Sequence, residues 1–297
     1  MAGRAESRGA LRRFRRNGLA VAGALLVCLL ALASLLGPLV YRVGYNQEFR
    51  GQKMAAPSAE HPLGTDRYEF DVLARILYGG RASLLIALAA TGIALLLALA
   101  VGLAAGYAGG WLDSCLMRLT DTFYAFPSIL LAMVLVSMSD ERSMWMVFVA
   151  LGATSWTGLA RLVRAQVLTV READYVQSAR ALGLSPLRVA LRHVLPNCLG
   201  PVVVAATLLV GSNILGEAGL GFLGCSVQTP FPSWGTMLFD SRGDFESAPW
   251  LMIFPGLSIT LAVLSFNLIG DGLRDALDPQ GAYLGGRSQT ASRSRRR

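Results

Sequence analysis

Six apolar stretches divide the chain. They run at about Leu19–Tyr41, Ser83–Gly106, Leu119–Met138, Met144–Val163, Pro196–Leu215 and Trp250–Ile269. Each is close to the ~20 residues that an α-helix needs to cross a bilayer, so the pattern predicts six membrane-spanning helices. Pro127 and Pro255 fall inside two of them, which membrane helices tolerate because neighbouring groups re-satisfy the freed carbonyl. The first stretch follows Arg12-Arg13-Phe14-Arg15-Arg16 and runs on past Ala31-Leu32-Ala33, a possible cleavage site. It is too long for a secretory signal core of roughly 7–15 residues, so it reads as a retained span.

Between the fourth and fifth spans lie about thirty residues, roughly 165–195, more than a simple reversal of the chain requires. Tyr175, Ala179 and Leu182 recur at helical spacing, Gly183 interrupts, and Ser185-Pro186 has the chemistry of a helix start. Leu187, Ala190, Leu191, Val194 and Leu195 then form a second apolar stripe, which Pro196 ends or kinks. The prediction is helix, glycine turn, helix. From the residues alone, this is equally a surface hairpin or a docking element for another protein.

Composition agrees with the pattern. The chain has 297 residues, 54% hydrophobic and only 15% charged, with a mean hydropathy of +0.49. A water-soluble domain carries about 25% charged residues, and a disordered chain is more polar still. The net charge of +8 is a topology signal rather than a nucleic-acid one, because the arginines gather at the ends of the apolar runs. With the N-terminus placed inside, 19 basic residues fall on the inner side and 8 on the outer. Both termini are therefore expected in the cytoplasm. Lys53 is the only lysine, and Gly51-Gln52-Lys53-Met54 is no phosphate-binding loop. Any ATP energy must come from a partner.

Candidate chemistry is sparse. The four cysteines (Cys28, Cys115, Cys198, Cys225) form no Cys-x2-Cys pair, and His61 and His193 are far apart, so no metal site or other cofactor is expected. Glu217 is the acid nearest a membrane interior, which makes it a translocation-path candidate, against a structural hydrogen bond as the plainer role. Ser212 and Asn213, one turn earlier, are path-lining or interhelical glue. Gly102, Gly106 and Gly110 have the spacing of close helix packing. Asp121 is expected to pair with Arg118 on its own helix, and Trp234 to sit at the membrane interface.

Tyr175-Val176-Gln177-Ser178-Ala179-Arg180-Ala181-Leu182-Gly183, followed by His193-Val194-Leu195-Pro196-Asn197, resembles the EAA loop of permease subunits in binding-protein-dependent ABC importers. Gln177, Ser178 and Ala179 occupy the triplet, Gly183 is the motif glycine, and Leu195-Pro196 close it. Gln replaces the family's Glu, and Ser replaces an Ala. Further stretches are similar to the C-type subunit of the dipeptide/oligopeptide/nickel branch: His61-Pro62-Leu63-Gly64-Thr65-Asp66, Gly109-Gly110-Trp111-Leu112-Asp113, Glu217 through Gly224, Pro232-Ser233-Trp234-Gly235 and Asn267 through Pro279. The sequence departs from that branch at Glu69-Phe70, where Gly-Arg is usual, and at Gly221, where Ser is usual.

The resemblance implies an all-α membrane protein with six transmembrane helices, a type I ABC importer permease fold in the bacterial inner membrane. The implied divisions are a cytoplasmic N-terminus (1–18), a first span (19–41), a periplasmic segment (42–81), a five-helix core (82–270) with a coupling loop at 165–195 and a periplasmic loop at 225–249, and a tail (271–297). The implied partners are a homologous second permease subunit, two ATP-binding subunits docking on 165–195, a periplasmic solute-binding protein and the lipid bilayer, with no nucleic acid. Tyr175, Val176, Gln177, Ser178, Ala179, Arg180, Leu182, Gly183, Leu195 and Pro196 would couple to the ATPase. The implied cargo is di- or oligopeptides; nickel or another small chelated solute is the alternative. A membrane enzyme lacks a clustered acid/base set here, and a free-standing channel has no use for the docking hairpin. The Ser/Arg-rich end, Arg287–Arg297, is expected to touch anionic headgroups.

Overall fold

In a computed structural model, the described residues are 9, 11–138, 143–227 and 230–277. They include eleven α-helices from Gly18 onward, one π-helical turn (Ala190–Val194) and two isolated β-bridges, Glu48 with Phe70 and Thr65 with Asp71. The helices are α1 (Gly18–Val40), α2 (Val72–Ala108), α3 (Gly110–Ala125), α4 (Ser128–Ser137), α5 (Met144–Ser155), α6 (Thr157–Arg171), α7 (Asp174–Ala181), α8 (Pro186–Val189), α9 (Leu195–Phe222), α10 (Trp234–Ser241) and α11 (Trp250–Leu277). Four continuous helices are long and apolar enough to cross a membrane, and six crossings result when each bent pair, α3 with α4 and α5 with α6, counts as one. Arg142, one of the 8 basic residues expected on the outer side, and the tail beyond residue 277 with its Ser/Arg-rich end lie outside the described residues.

Two expected straight spans are broken. Leu119–Met138 is part of α3 and α4, which meet at 85°. Pro127 has no N–H and forces Phe126 into extended backbone (φ −91°, ψ 139°), so α3 stops there. The fourth span bends by 45° at Trp156. The second span is longer than its apolar run: α2 begins at Val72, not near residue 82. The polar residues at its first turns are satisfied by both local and distant partners. Asp71 caps the helix through the Ala74 N–H (2.8 Å). Arg75 is buried and donates to Asp66 at 2.7 Å and Asp240 at 3.5 Å. Arg81 donates to the carbonyls of Ser34 and Leu35, both at 2.7 Å. Ser34 needs that donor because Pro38, four residues later in α1, has no N–H to give.

Small residues set the helix contacts. A Cβ on Gly102 would lie 2.6 Å from Val163 Cβ, and one on Gly106 2.8 Å from Val167 Cβ, so α2 and α6 touch backbone to side chain along this seam. Gly110 takes no part; together with Gly109 it turns the chain between α2 and α3. Asp121 pairs with Arg161 of α6 (2.7 Å), not with Arg118. Asp113 holds Arg164 through two bonds of 2.5 and 2.6 Å, a second clamp from α3 to α6. Trp234 is not at a lipid interface: it is 1% exposed, and its indole N–H donates to the Ile76 carbonyl at 3.1 Å.

Candidate functional site

The 165–195 segment folds as helix, glycine turn, helix. The end of α7 is closed by a pair of bonds, Gly183 N–H to Arg180 O (2.9 Å) and Leu184 N–H to Ala179 O (3.3 Å). This closure requires a left-handed residue, and Gly183 supplies it at φ +77°. A side chain there would meet nothing within 4 Å, so the constraint is backbone conformation and not steric space. Ser185 takes the N-cap position of α8 without a side-chain bond, and Pro186 follows at the first turn. Pro196 does not end the helix. The five residues Ala190–Val194 widen into a π-turn, in which Leu195 N–H reaches Ala190 O, and α9 continues through the proline to Phe222.

The apolar stripes face differently from the simple spacing. Val176, Ala179, Val189, Ala190 and Val194 are buried, and all but Ala190 pack with Val163, Val167, Cys198 and Val202. This inner face joins the hairpin to α6 and α9 as one core. Tyr175, Leu182, Leu187 and Leu191 point outward, with Leu182 81% and Leu187 70% exposed. Arg180 lies 5.0 Å from the Tyr107 ring. Gln177 and Ser178 are exposed, Leu195 is half-buried and Pro196 is exposed. Gln177 donates its amide to Glu172 Oε2 at 3.3 Å and to the Arg171 carbonyl at 3.2 Å. A carboxylate is therefore present beside the triplet, supplied by Glu172.

The second feature is a half-open chamber of about 610 Å³ between α3, α4, α5, α6 and α9. Ser212 lines it, and Asn213 joins the lining while donating to Thr91 Oγ1 at 2.9 Å. Phe123, Tyr124, Thr154, Ser155, Thr157 and Gly158 contribute the opposite walls. Sequence reasoning missed these last four; the signal was Thr154, Ser155 and Thr157 clustered inside an apolar run.

Glu217 lies outside that lining. It is fully buried and accepts from Ser83 Oγ (2.9 Å) and Ser226 Oγ (3.0 Å). Ser83 in turn accepts from the Trp234 N–H at 3.1 Å. The acid thus ties α2 and α9 to the 225–249 segment. The partners are serine hydroxyls, so the carboxylate makes structural hydrogen bonds here. Beside it, Gly221 meets Gly235, where an added Cβ would lie 2.6 Å from a backbone carbon. That approach explains a glycine where serine is usual.

On the other side of α10, residues 41–71 fold onto the start of α2. Asp71 receives the Tyr41 hydroxyl and lies beside His61 Nδ1, both at 2.8 Å. Arg67 pairs with Asp244, and Arg75 with Asp66 and Asp240. Burial raises the Asp240 carboxyl above its ordinary value, with Arg75 opposing. Glu69, at the second departure from the branch pattern, sits at φ +63°.

Residues 98–280 match the model of the binding-protein-dependent transport system inner membrane component, and residues 7–57 match the N-terminal TM domain of oligopeptide transport permease C. The chain belongs to the binding-protein-dependent transport system inner membrane component family. This permease is 42% identical over 273 residues to a dipeptide transport system permease protein of Alkalihalophilus pseudofirmus, covering 92% of this chain and 90% of that one. It is 41% identical over 280 residues to an oligopeptide transport system permease protein of Escherichia coli K12, covering 94% and 92%. A glutathione transport system permease protein of Escherichia coli O6:K15:H31 is 39% identical, covering 91% and 89%. Its several apolar helices and this membership make the permease a multi-pass inner-membrane protein. Membership in a family of ABC importer permeases implies ATP-binding and solute-binding partners.

Proposed function

We propose that this permease is the membrane-spanning subunit of an ATP-driven importer for di- and oligopeptides delivered by a solute-binding protein. The observation that carries the reading is likeness over more than nine-tenths of the chain to permeases named for dipeptide and oligopeptide transport. The nickel alternative draws no support from the relatives named above. The subunit itself has no ATPase role in this reading. It pairs with a homologous second permease, and two ATP-binding subunits dock inside. Both termini are cytoplasmic, in keeping with the 19 against 8 distribution of basic residues.

The hairpin is the transmission in this reading. Its exposed apolar residues Leu182, Leu187 and Tyr175 enter a groove on the ATPase. Its buried face, on α6 and α9, carries the motion into the membrane helices, since a close-packed core moves as a unit. Ser212 and Asn213 line the route of the cargo. Glu217 holds the outer segment in place. Reconstitution of the permease pair with and without its ATP-binding subunits tests the assignment. Peptide uptake is expected only with both ATPases and ATP present. ATP hydrolysis or peptide flux by the permeases alone would overturn it.

A further inference from the structure

Next to the neutral chamber lies a second groove of about 520 Å³, lined by Leu162, Pro201, Val204, Ala205, Leu208, Leu277 and one cation, Arg274. The two cavities are both lined by α6 and α9. On α9, Pro201, Ala205 and Leu208 lead at steps of three and four to Leu209, Ser212 and Gly216. On α6, Gly158 of the chamber lies one turn before Leu162 of the groove. No ionisable acid, lysine, arginine or histidine lines the chamber among the described residues. Arg274, an exposed residue, is thus the one charge lining either cavity, and it makes no hydrogen bond or ion pair among the described residues. The neighbouring acid Asp275 is turned away, accepting from Asn17 at 3.1 Å.

We propose that Arg274 is a binding site for the C-terminal carboxylate of the peptide cargo, at the far end of a route that starts at Ser212. This deepens the peptide-import reading and rests on it. A guanidinium in an otherwise apolar groove favours a single anionic end, through charge-assisted bonds that a lysine makes less well. Hydroxyls and aromatic rings in the chamber suit the uncharged amides and varied side chains of the remaining residues. The spacing fits a short peptide. Ser212 and Ala205 are seven residues apart, roughly 10 Å of helix, and an extended tripeptide also spans roughly 10 Å. The carboxylate end then travels first.

The test uses the complete importer in proteoliposomes, with trialanine and trialanine amide as cargo. Arg274→Gln is expected to lower trialanine uptake about tenfold relative to wild type and to change amide uptake less than twofold. Comparing variant with wild type for each cargo cancels the solute-binding protein's own preference. An equal loss for both cargoes, as expected if the arginine holds a lipid phosphate or braces the fold, overturns the proposal; so does no loss for either. If wild type imports only the free acid, Arg274→Lys decides: partial recovery over Arg274→Gln supports the site, and equal loss rejects it. Wild type importing no peptide at all means that the peptide reading has failed, a separate result.

Discussion

Gly183→Ala separates strain from contact in the docking hairpin. The residue is left-handed at φ +77°, with open space where a Cβ would stand. Alanine therefore costs only the left-handed conformation, about 1–2 kcal/mol, with no overpacking. Two bonds close the turn, from Gly183 N–H and Leu184 N–H, so the cost falls on local opening of these amides. A penalty of about 1–2 kcal/mol raises an opening equilibrium roughly 5- to 30-fold. Hydrogen exchange at residue 184 of the purified permease should quicken by that factor, while amides in α6 and α9 keep their rates. Peptide uptake should fall no more than the lost population of closed turns requires. Unchanged exchange at Leu184 would refute the strain argument. Complete loss of uptake with an intact complex would refute the claim that strain is the only constraint, because a partner surface must then fill the space beside the turn.

Four further expectations concern other parts of the molecule. Leu182→Asp and Leu187→Asp alter exposed positions, so the permease should fold and insert normally but fail to co-purify with its ATP-binding subunits; normal complex yield would exclude the apolar docking face. Glu69→Gly relieves a left-handed Glu at the expense of one exposed bond to Gly51 N–H (3.1 Å), and should raise stability by about 1 kcal/mol, read as a higher melting temperature. Gly221→Ser places an atom against Gly235 backbone and should lower stability by about 1–3 kcal/mol; an unchanged melting temperature would show that α9 and α10 separate easily. Asp240, raised by burial, keeps its proton in the folded state after an unfolded chain has released it. Stability should therefore fall as pH rises from the ordinary Asp value to the raised one, and Asp240→Asn should flatten that slope.

The spans were legible because lipid demands long apolar runs whatever their neighbours. The seam between them was legible in part. Gly102 and Gly106 announced close packing, but Gly110, at the same spacing, forms a turn instead. In a helix that is apolar all round, polarity says nothing about which side faces protein. Burial in α2 follows Ala87, Ala90, Ala94, Ala98 and Gly102, the small residues, while Leu85, Leu88 and Leu96 stay exposed. The same inversion operates in the hairpin. The large apolar residues Leu182 and Leu187 look like core by spacing, yet Val176, Ala179 and Val189 hold the inner face. Trp234 and Asp121 misled for a related reason: local rules assigned them to lipid and to Arg118, and distant residues claimed them.

By itself the sequence determined the all-helical membrane class, the helix–glycine–helix form of the hairpin and the family. These rest on composition, on the left-handed requirement at Gly183 and on short-range spacing, all properties of contiguous residues. Tertiary structure alone decided where α2 starts, which acids neutralise Arg75 and that Glu217 ties helices together through serines. These depend on contacts beyond one helical turn, nine positions for Arg75 with Asp66 and 165 for Arg75 with Asp240. A charge inside a membrane helix is stabilised by a partner or by facing a cavity, and which of these it finds is set by packing rather than by order along the chain.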